Sequence, residues 1–132
     1  MSRRPYLLPA VGLAVSMLAA APAFAAAAPP DGACIYANAW QDWSSPAPNV
    51  ILLRVNVDDV YQLDLKYPSN QLKYPAMHLV NLYQTSQWLC RPSDFNLLLK
   101  DNYGGFSEPL FVTRITKLTP AEVAAIPRKL RP

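Results

Sequence analysis

Histidine and cysteine, the residues behind most metal sites and many catalytic pairs, are scarce in this sequence of 132 residues, which holds one histidine and two cysteines. A zinc site needs three or four ligands at close spacing, and any Ser–His or Cys–His catalytic pair would depend on His78 alone. No C-x-x-C, G-x-S-x-G or H-E-x-x-H motif is present. The sequence therefore predicts no metal or cofactor site and no catalytic residue, and a hydrolase using His78 is kept only as an alternative.

The apolar run at the N-terminus is shorter than a membrane-spanning helix. Such a helix needs about 20 apolar residues, whereas this run covers residues 6–18 and includes a serine. Arg3 and Arg4 precede the run, and Ala23-Phe24-Ala25 offers a small-residue cleavage site after it. This order predicts a secretory signal over residues 1–25. The arginine pair also resembles a twin-arginine signal, so general secretion and twin-arginine export both stay open.

Behind the signal we expect a linker over residues 26–32, a single β-rich domain over 33–127 and a basic tail over 128–132. Export places the mature protein in the periplasm or outside the cell, with no transmembrane segment after signal cleavage. Asp31 occupies a position where a bacterial lipid-attachment signal needs an apolar residue. Cys34 is therefore not predicted to carry a lipid.

Without the signal, the chain has no large excess of positive or negative charge. The formal net charge of +3 includes Arg3 and Arg4, and the remaining chain carries ten basic and nine acidic residues. Three of the basic residues belong to the tail, which we interpret as a solvated, frayed terminus. No basic face remains to follow a phosphate backbone, so nucleic acid is excluded as a partner.

The two cysteines of an exported domain most simply form one disulfide, between Cys34 and Cys90. Neither lies at an evident helix N-terminus that would lower the pKa of a thiol. A structural bond is therefore favoured over a reactive cysteine. Closing a loop of this length would stabilise the fold by about 4 kcal/mol.

Alternating and β-branched segments predict a sheet. Residues 50–57 are typical of a buried strand, residues 56–59 of a turn, and residues 60–67 alternate between apolar and polar side chains, which together predict a hairpin. Asp58 and Asp59 are interpreted as turn residues, because the further oxygen ligands of a calcium loop are missing. Further strands are predicted over 77–83, 86–90 and 110–118, a loop over 44–49, a turn over 102–105, and strand or helix over 34–40 and 94–100.

The last part of the domain has the pattern of a short helix. Thr119 can cap it, Pro120 suits its first position, Glu122 completes a capping box, and Pro127 ends it. The predicted fold is mainly β, a small antiparallel barrel or two-layer sandwich of five or six strands with a short C-terminal helix.

Aromatic residues form two groups that are candidates for contact with a partner. Tyr36, Trp40 and Trp43 follow Cys34, and a disulfide would bring Trp88 towards Tyr36 and Trp40. These rings suit a core around the bridge, with a sugar- or peptide-binding platform as the alternative. A second group flanks the Gly-Gly turn, so the tentative contact surface comprises Trp40, Trp43, Tyr103 and Phe106.

One short sequence occurs twice. Leu65-Lys66-Tyr67-Pro68 recurs as Leu72-Lys73-Tyr74-Pro75. A period of seven residues is too short for a structural repeat, so we interpret the pair as chance or as two similar strand exits.

Several of these features occur together in one family. They are Cys34 with a tryptophan a few residues later, the 50–57 strand, Asp-Val-Tyr-Gln-Leu-Asp-Leu at 59–65, Leu89-Cys90, and above all Leu-Thr-Pro-Ala-Glu-Val-Ala-Ala-Ile-Pro at 118–127. Over residues 33–132 the chain resembles small exported proteobacterial proteins classed as a domain of unknown function.

Members of that family often carry four cysteines, of which two match Cys34 and Cys90. The other two would fall near Ser69 and near Leu110, where this chain has none. The resemblance implies that those two pair with each other and that Cys34 therefore pairs with Cys90. It implies no activity, cofactor or catalytic residue.

From these observations we expect a non-enzymatic binding module of the cell envelope, acting on an unidentified envelope protein or small ligand. The alternative is a small-ligand carrier, which would need an apolar barrel cavity of at least about 300 Å³.

Overall fold

The computed structural model describes residues 34–82 and 87–132, and strands make up 47% of them. The predicted mainly β fold with one short helix is confirmed, and the described residues form nine strands where five or six were expected. In chain order these are β1 (Ile35–Tyr36), β2 (Trp40–Ala47), β3 (Val50–Val55), β4 (Asp59–Leu65), β5 (Met77–Asn81), β6 (Trp88–Leu89), β7 (Leu97–Asp101), β8 (Ser107–Leu110) and β9 (Val112–Lys117).

The strands are arranged in three antiparallel sheets. One has the order β2-β3-β4-β9, a second has the order β5-β7-β8, and β1 pairs with β6 alone. These sheets are not closed into a barrel, which is consistent with the sandwich form of the prediction.

The predicted hairpin is present as β3 and β4. Val55 pairs with Asp59 across the turn, and Asn56 takes a positive φ of 56°. Asparagine tolerates this left-handed conformation better than most residues, which suits it to the turn. Two strands rich in branched side chains and joined by turn residues thus fold as their local sequence predicts.

One hydrophobic core joins side chains from all three sheets. Leu53 and Leu63 of the four-stranded sheet, Leu99 of the three-stranded sheet, and Ile35 and Leu89 of the small sheet are each at most 1% exposed. Fully burying a leucine or isoleucine contributes about 1.5–3 kcal/mol. Burial against a shared core therefore fixes how the sheets pack.

The prediction of a loop over residues 44–49 is wrong for its first four residues, because Ser44 to Ala47 belong to β2. Pro46 lies within this strand, and proline has no N–H for a ladder. β2 is an edge strand of its sheet, which is where proline is tolerated.

Two further segments differ from their sequence assignments. The strand predicted over 110–118 is divided at Phe111 into the end of β8 and the whole of β9, which belong to different sheets. The ambiguous segment 94–100 contains the end of a 3-10 turn, Pro92–Asp94, followed by β7.

The C-terminal helix α1 (Pro120–Ala125) has the predicted capping box. Glu122 Oε2 accepts the Thr119 backbone N–H at 2.7 Å, and Thr119 Oγ1 accepts the Glu122 backbone N–H at 3.3 Å. These bonds satisfy donors that a helix N-terminus otherwise leaves without partners.

The basic tail packs on the domain, so the interpretation of a frayed terminus is wrong. Arg128–Leu130 form a 3-10 turn, and the Ser44 hydroxyl donates to the Leu130 carbonyl at 2.6 Å. Arg131 donates to the carbonyls of Ala124 at 2.6 Å and Ile126 at 2.8 Å. A guanidinium that satisfies the last carbonyls of a helix holds the tail in place.

The Cys34–Cys90 disulfide is present, with 56 residues of sequence separation. It lies directly beside the β1–β6 pair, in which Ile35 is opposite Leu89. Two residue pairs alone would not make a stable ribbon, so the bridge acts together with the burial of Ile35 and Leu89 to keep β1 beside β6.

The Cys90 end of the bridge is fixed by Asp94. Asp94 Oδ2 accepts backbone N–H groups from Cys90 at 3.0 Å and Arg91 at 2.8 Å, and Oδ1 accepts the Arg91 guanidinium at 3.1 Å. Burial raises the pKa of the Asp94 carboxyl, but the hydrogen bonds from Arg91 and Cys90 outweigh it and hold that pKa below its ordinary value.

Replacing both bridge cysteines, Cys34→Ser with Cys90→Ser, should lower the free energy of unfolding by about 4 kcal/mol, because the unfolded chain regains its loop entropy. Urea denaturation of the variant and of reduced wild type measures this loss, and the two should agree. An unchanged urea midpoint would show that the bridge does not stabilise the fold.

Asp94 should make stability depend on acid pH. Because its folded pKa is lowered, its contribution is present above the ordinary aspartate pKa of about 3.9 and is lost as the pH falls through the folded value. Asp94→Asn should therefore lower stability at pH 7 and flatten its decline between about pH 5 and pH 2. Thermal melts of wild type and Asp94→Asn across this pH range measure the difference in stability. Asp58→Asn, in the exposed β3–β4 turn, is the control. Equal pH profiles for wild type and Asp94→Asn would contradict the role of Asp94.

Candidate binding groove

A groove of about 400 Å³ lies between β2 and β5. Both are edge strands, each at the end of one of the two larger sheets. Their outer edges carry backbone N–H and C=O groups that a further strand could pair with. The residues that line the groove are Ala37, Trp40, Gln41, Asp42, Trp43, Leu79, Val80 and Asn81.

Trp40 and Trp43 lie on this groove and also pack against the hydrophobic core. Side chains three positions apart in a regular strand point to opposite faces. The pairing of β2 with β3 shifts register between Trp40 and Asp42, as in a β-bulge. A bulge adds one residue to a strand, so both indoles reach the same side of the sheet.

Asp42 supports the irregular part of β2. Its Oδ1 accepts the Trp43 backbone N–H at 2.8 Å, and its Oδ2 lies 3.8 Å from a guanidinium nitrogen of Arg54. Both side chains of the ion pair are more than a third exposed, and pairs of this kind contribute little to stability. The carboxylate's main structural effect is therefore the local bond that fixes the Trp43 backbone.

The second half of β2 is engaged elsewhere. The Ser44 hydroxyl donates to the Leu130 carbonyl of the tail. Residues 45–47 line a separate pocket, together with residues of the 3-10 turn Asn70–Lys73. The Trp40–Trp43 half of β2 is consequently the part that opens on the groove.

The four aromatic residues of the predicted contact surface are divided between two places. Trp40 and Trp43 lie together on the groove, whereas Tyr103 and Phe106 lie in or beside the β7–β8 turn. Tyr103 is 91% exposed, and Gly104 takes the positive φ of 78° that favours glycine. Phe106 is half-buried and lines another groove, with Pro68 and Glu108.

Tyr36 and Trp88 form a separate aromatic pair beside the disulfide. Their ring centroids are 5.1 Å apart, and the Tyr36 hydroxyl donates to Gln87 Oε1. The expectation that the bridge brings Trp88 towards Tyr36 is confirmed. Trp88 remains 55% exposed, so its ring is not part of the core.

His78 immediately precedes the groove residues of β5 and is paired with Lys100 of β7. Its Nδ1 is buried and has no hydrogen-bond partner in the described part of the chain. Catalytic acid–base work requires a hydrogen-bonded partner within reach. Within residues 34–82 and 87–132, no carboxylate or nucleophile is hydrogen-bonded to this nitrogen.

Metal-ligating residues do not cluster in residues 34–82 and 87–132, where no group of three or more His, Cys, Asp or Glu could hold an ion. In the same residues no helix is long and apolar enough to cross a bilayer.

The wall contributed by Leu79, Val80 and Asn81 was not predicted as part of a site. Its only sequence signal is a strand pattern, and its place opposite Trp40 depends on how two sheets pack. Sequence reasoning could find the tryptophans, because large aromatic residues are candidates in any sequence.

Comparison of the chain with family models, curated proteins and solved structures found no match. The family resemblance over residues 33–132 therefore stays an expectation. The structure does place Ser69 next to Glu108, with a hydrogen bond of 2.7 Å, two residues before Leu110.

Proposed function

We propose that this protein is an exported, non-enzymatic binding module of the cell envelope that holds a protein partner in the groove between β2 and β5. The observation that carries the proposal is the placement of Trp40 and Trp43 on a groove between two edge strands. Tryptophan is enriched at the energetic centres of protein interfaces.

Export is supported by the signal pattern of the first 25 residues, and the disulfide fits an oxidising compartment. We therefore place the mature protein in the periplasm or outside the cell. Since β-edge groups pair best with another strand, the partner that suits this groove presents an extended backbone segment.

The carrier alternative has less support. It needs an enclosed apolar cavity, whereas the groove is open to solvent and lined partly by Gln41, Asp42 and Asn81. The sheets of the described residues are not closed into a barrel that could hold a ligand. No specific observation favours a carrier over a protein-binding module.

Affinity capture from an envelope extract of the source organism tests the proposal. Wild type should enrich a partner, and Trp40→Ala should bind it roughly 30-fold more weakly, as expected for a tryptophan hot spot. Tyr103→Ala, which removes an exposed aromatic ring away from the groove, should bind like wild type.

Because Trp40 also packs on the core, Val80→Lys serves as a second groove variant that leaves both indoles in place. Urea midpoints show whether each variant is folded. If no partner is enriched, or if both folded groove variants bind as Tyr103→Ala does, the groove is not the binding site.

A further inference from the structure

The two Leu-Lys-Tyr-Pro sequences have the same pattern of exposure. In 65–68 and again in 72–75 the leucine is buried and the lysine, tyrosine and proline are exposed. Interpretation as two strand exits fits only the first copy, because Leu65 ends β4 whereas Leu72 lies in the 3-10 turn Asn70–Lys73. What the copies share is therefore the set of side chains that they present to solvent.

The segment between the copies is anchored at three points. Leu65 and Leu72, 6% and 5% exposed, both belong to the core. Ser69 between them is buried, accepts the Gln71 N–H at 3.3 Å and donates to Glu108 at 2.7 Å. The exposed tyrosines and lysines thus project from a segment that the core holds in one conformation.

Three large aromatic rings remain exposed at or next to this segment. Tyr67 is 58% exposed, Tyr74 is 49% exposed and Phe111 is 55% exposed. Tyr67 and Phe111 pack edge to face with centroids 6.1 Å apart, so their contact is with each other on the outside of the domain. Exposed apolar groups that lie together, as Tyr67 and Phe111 do, are typical of an interaction surface, and Tyr74 is exposed further along the same stretch of chain.

Each tyrosine has a lysine over its ring. Lys66 Nζ is 5.3 Å from the Tyr67 centroid, and Lys73 Nζ is 5.4 Å from the Tyr74 centroid. The ion pairs found among the described residues use other cations: Arg54, Arg91, Arg114 and Lys117. Lys66 and Lys73 therefore have no carboxylate partner in that part of the chain, and their charges are available to an external anion.

We propose that Lys66, Tyr67, Lys73, Tyr74 and Phe111, here called the lysine–tyrosine surface, bind the headgroup layer of an anionic lipid bilayer. Tyrosine and phenylalanine place apolar ring surface at the membrane–water interface, and the tyrosine hydroxyl stays hydrated. Lysine carries its ammonium to the phosphates while its alkyl stem lies along apolar groups.

The surface shares no residue with the groove between β2 and β5, so this inference goes beyond the proposed function. Two unpaired cations and three rings give weak, reversible binding. Such binding would keep the domain near a membrane without a spanning segment or a lipid anchor.

Vesicle co-sedimentation tests the inference on the protein as recovered from the export compartment. It should partition onto vesicles containing phosphatidylglycerol more strongly than onto pure phosphatidylcholine vesicles, and higher salt should weaken the binding. Lys66→Ala with Lys73→Ala should lower the partition coefficient on the order of 30-fold. Tyr67→Ser with Tyr74→Ser should also lower it, at unchanged net charge.

Two control variants separate this surface from general charge and exposure. Lys100→Ala with Lys129→Ala makes the same change in net charge outside the lysine–tyrosine surface. Tyr103→Ser removes an exposed ring from the β7–β8 turn, at the opposite end of β8 from Phe111. Both should bind like wild type, and urea midpoints should show every variant folded.

Three outcomes would overturn the inference. The first is wild type that binds anionic and neutral vesicles equally, and the second is a control lysine pair that lowers binding as much as the surface pair does. The third is a protein that binds soluble lipopolysaccharide fragments but no vesicle. The last result would assign the surface to a glycan.

Discussion

The disulfide between Cys34 and Cys90 is the constraint on which the arrangement of the chain depends. β1 and β6 contribute two residues each, fewer than an isolated ribbon needs to be stable. With that link in place, Ile35 and Leu89 are buried side by side in the core. The bridge also fixes where β2 begins and, through the hydrogen bonds of Asp94, where the chain turns towards β7.

The candidate groove is a consequence of these anchored strands. β2 starts directly after the 3-10 turn Ala37–Ala39, and its register shift turns Trp40 and Trp43 to one side. The tail covers the other half of β2 through Ser44. A short open edge with two indoles is left opposite β5, and this is the geometry on which the proposed strand-like partner rests.

Local sequence signals predicted the parts of the fold that local interactions determine. The β3–β4 hairpin follows from alternation around an asparagine-containing turn, and α1 follows from the Thr119–Glu122 capping box. β2 was missed in part because Pro46 is acceptable only at a sheet edge, and edge position is a property of the whole sheet. The orientation of the Leu-Lys-Tyr-Pro copies likewise depends on a core that receives both leucines.

Intact-mass analysis of the protein recovered from the export compartment tests signal cleavage and the disulfide together. The protein is alkylated in denaturant, first without reductant and then, in a second sample, after reduction. We predict a chain that begins at Ala26 or a neighbouring alanine, takes up no alkyl group before reduction and takes up two after it. A chain that retains its first 25 residues and has both thiols alkylated before reduction would contradict the account of an exported, disulfide-stabilised binding module.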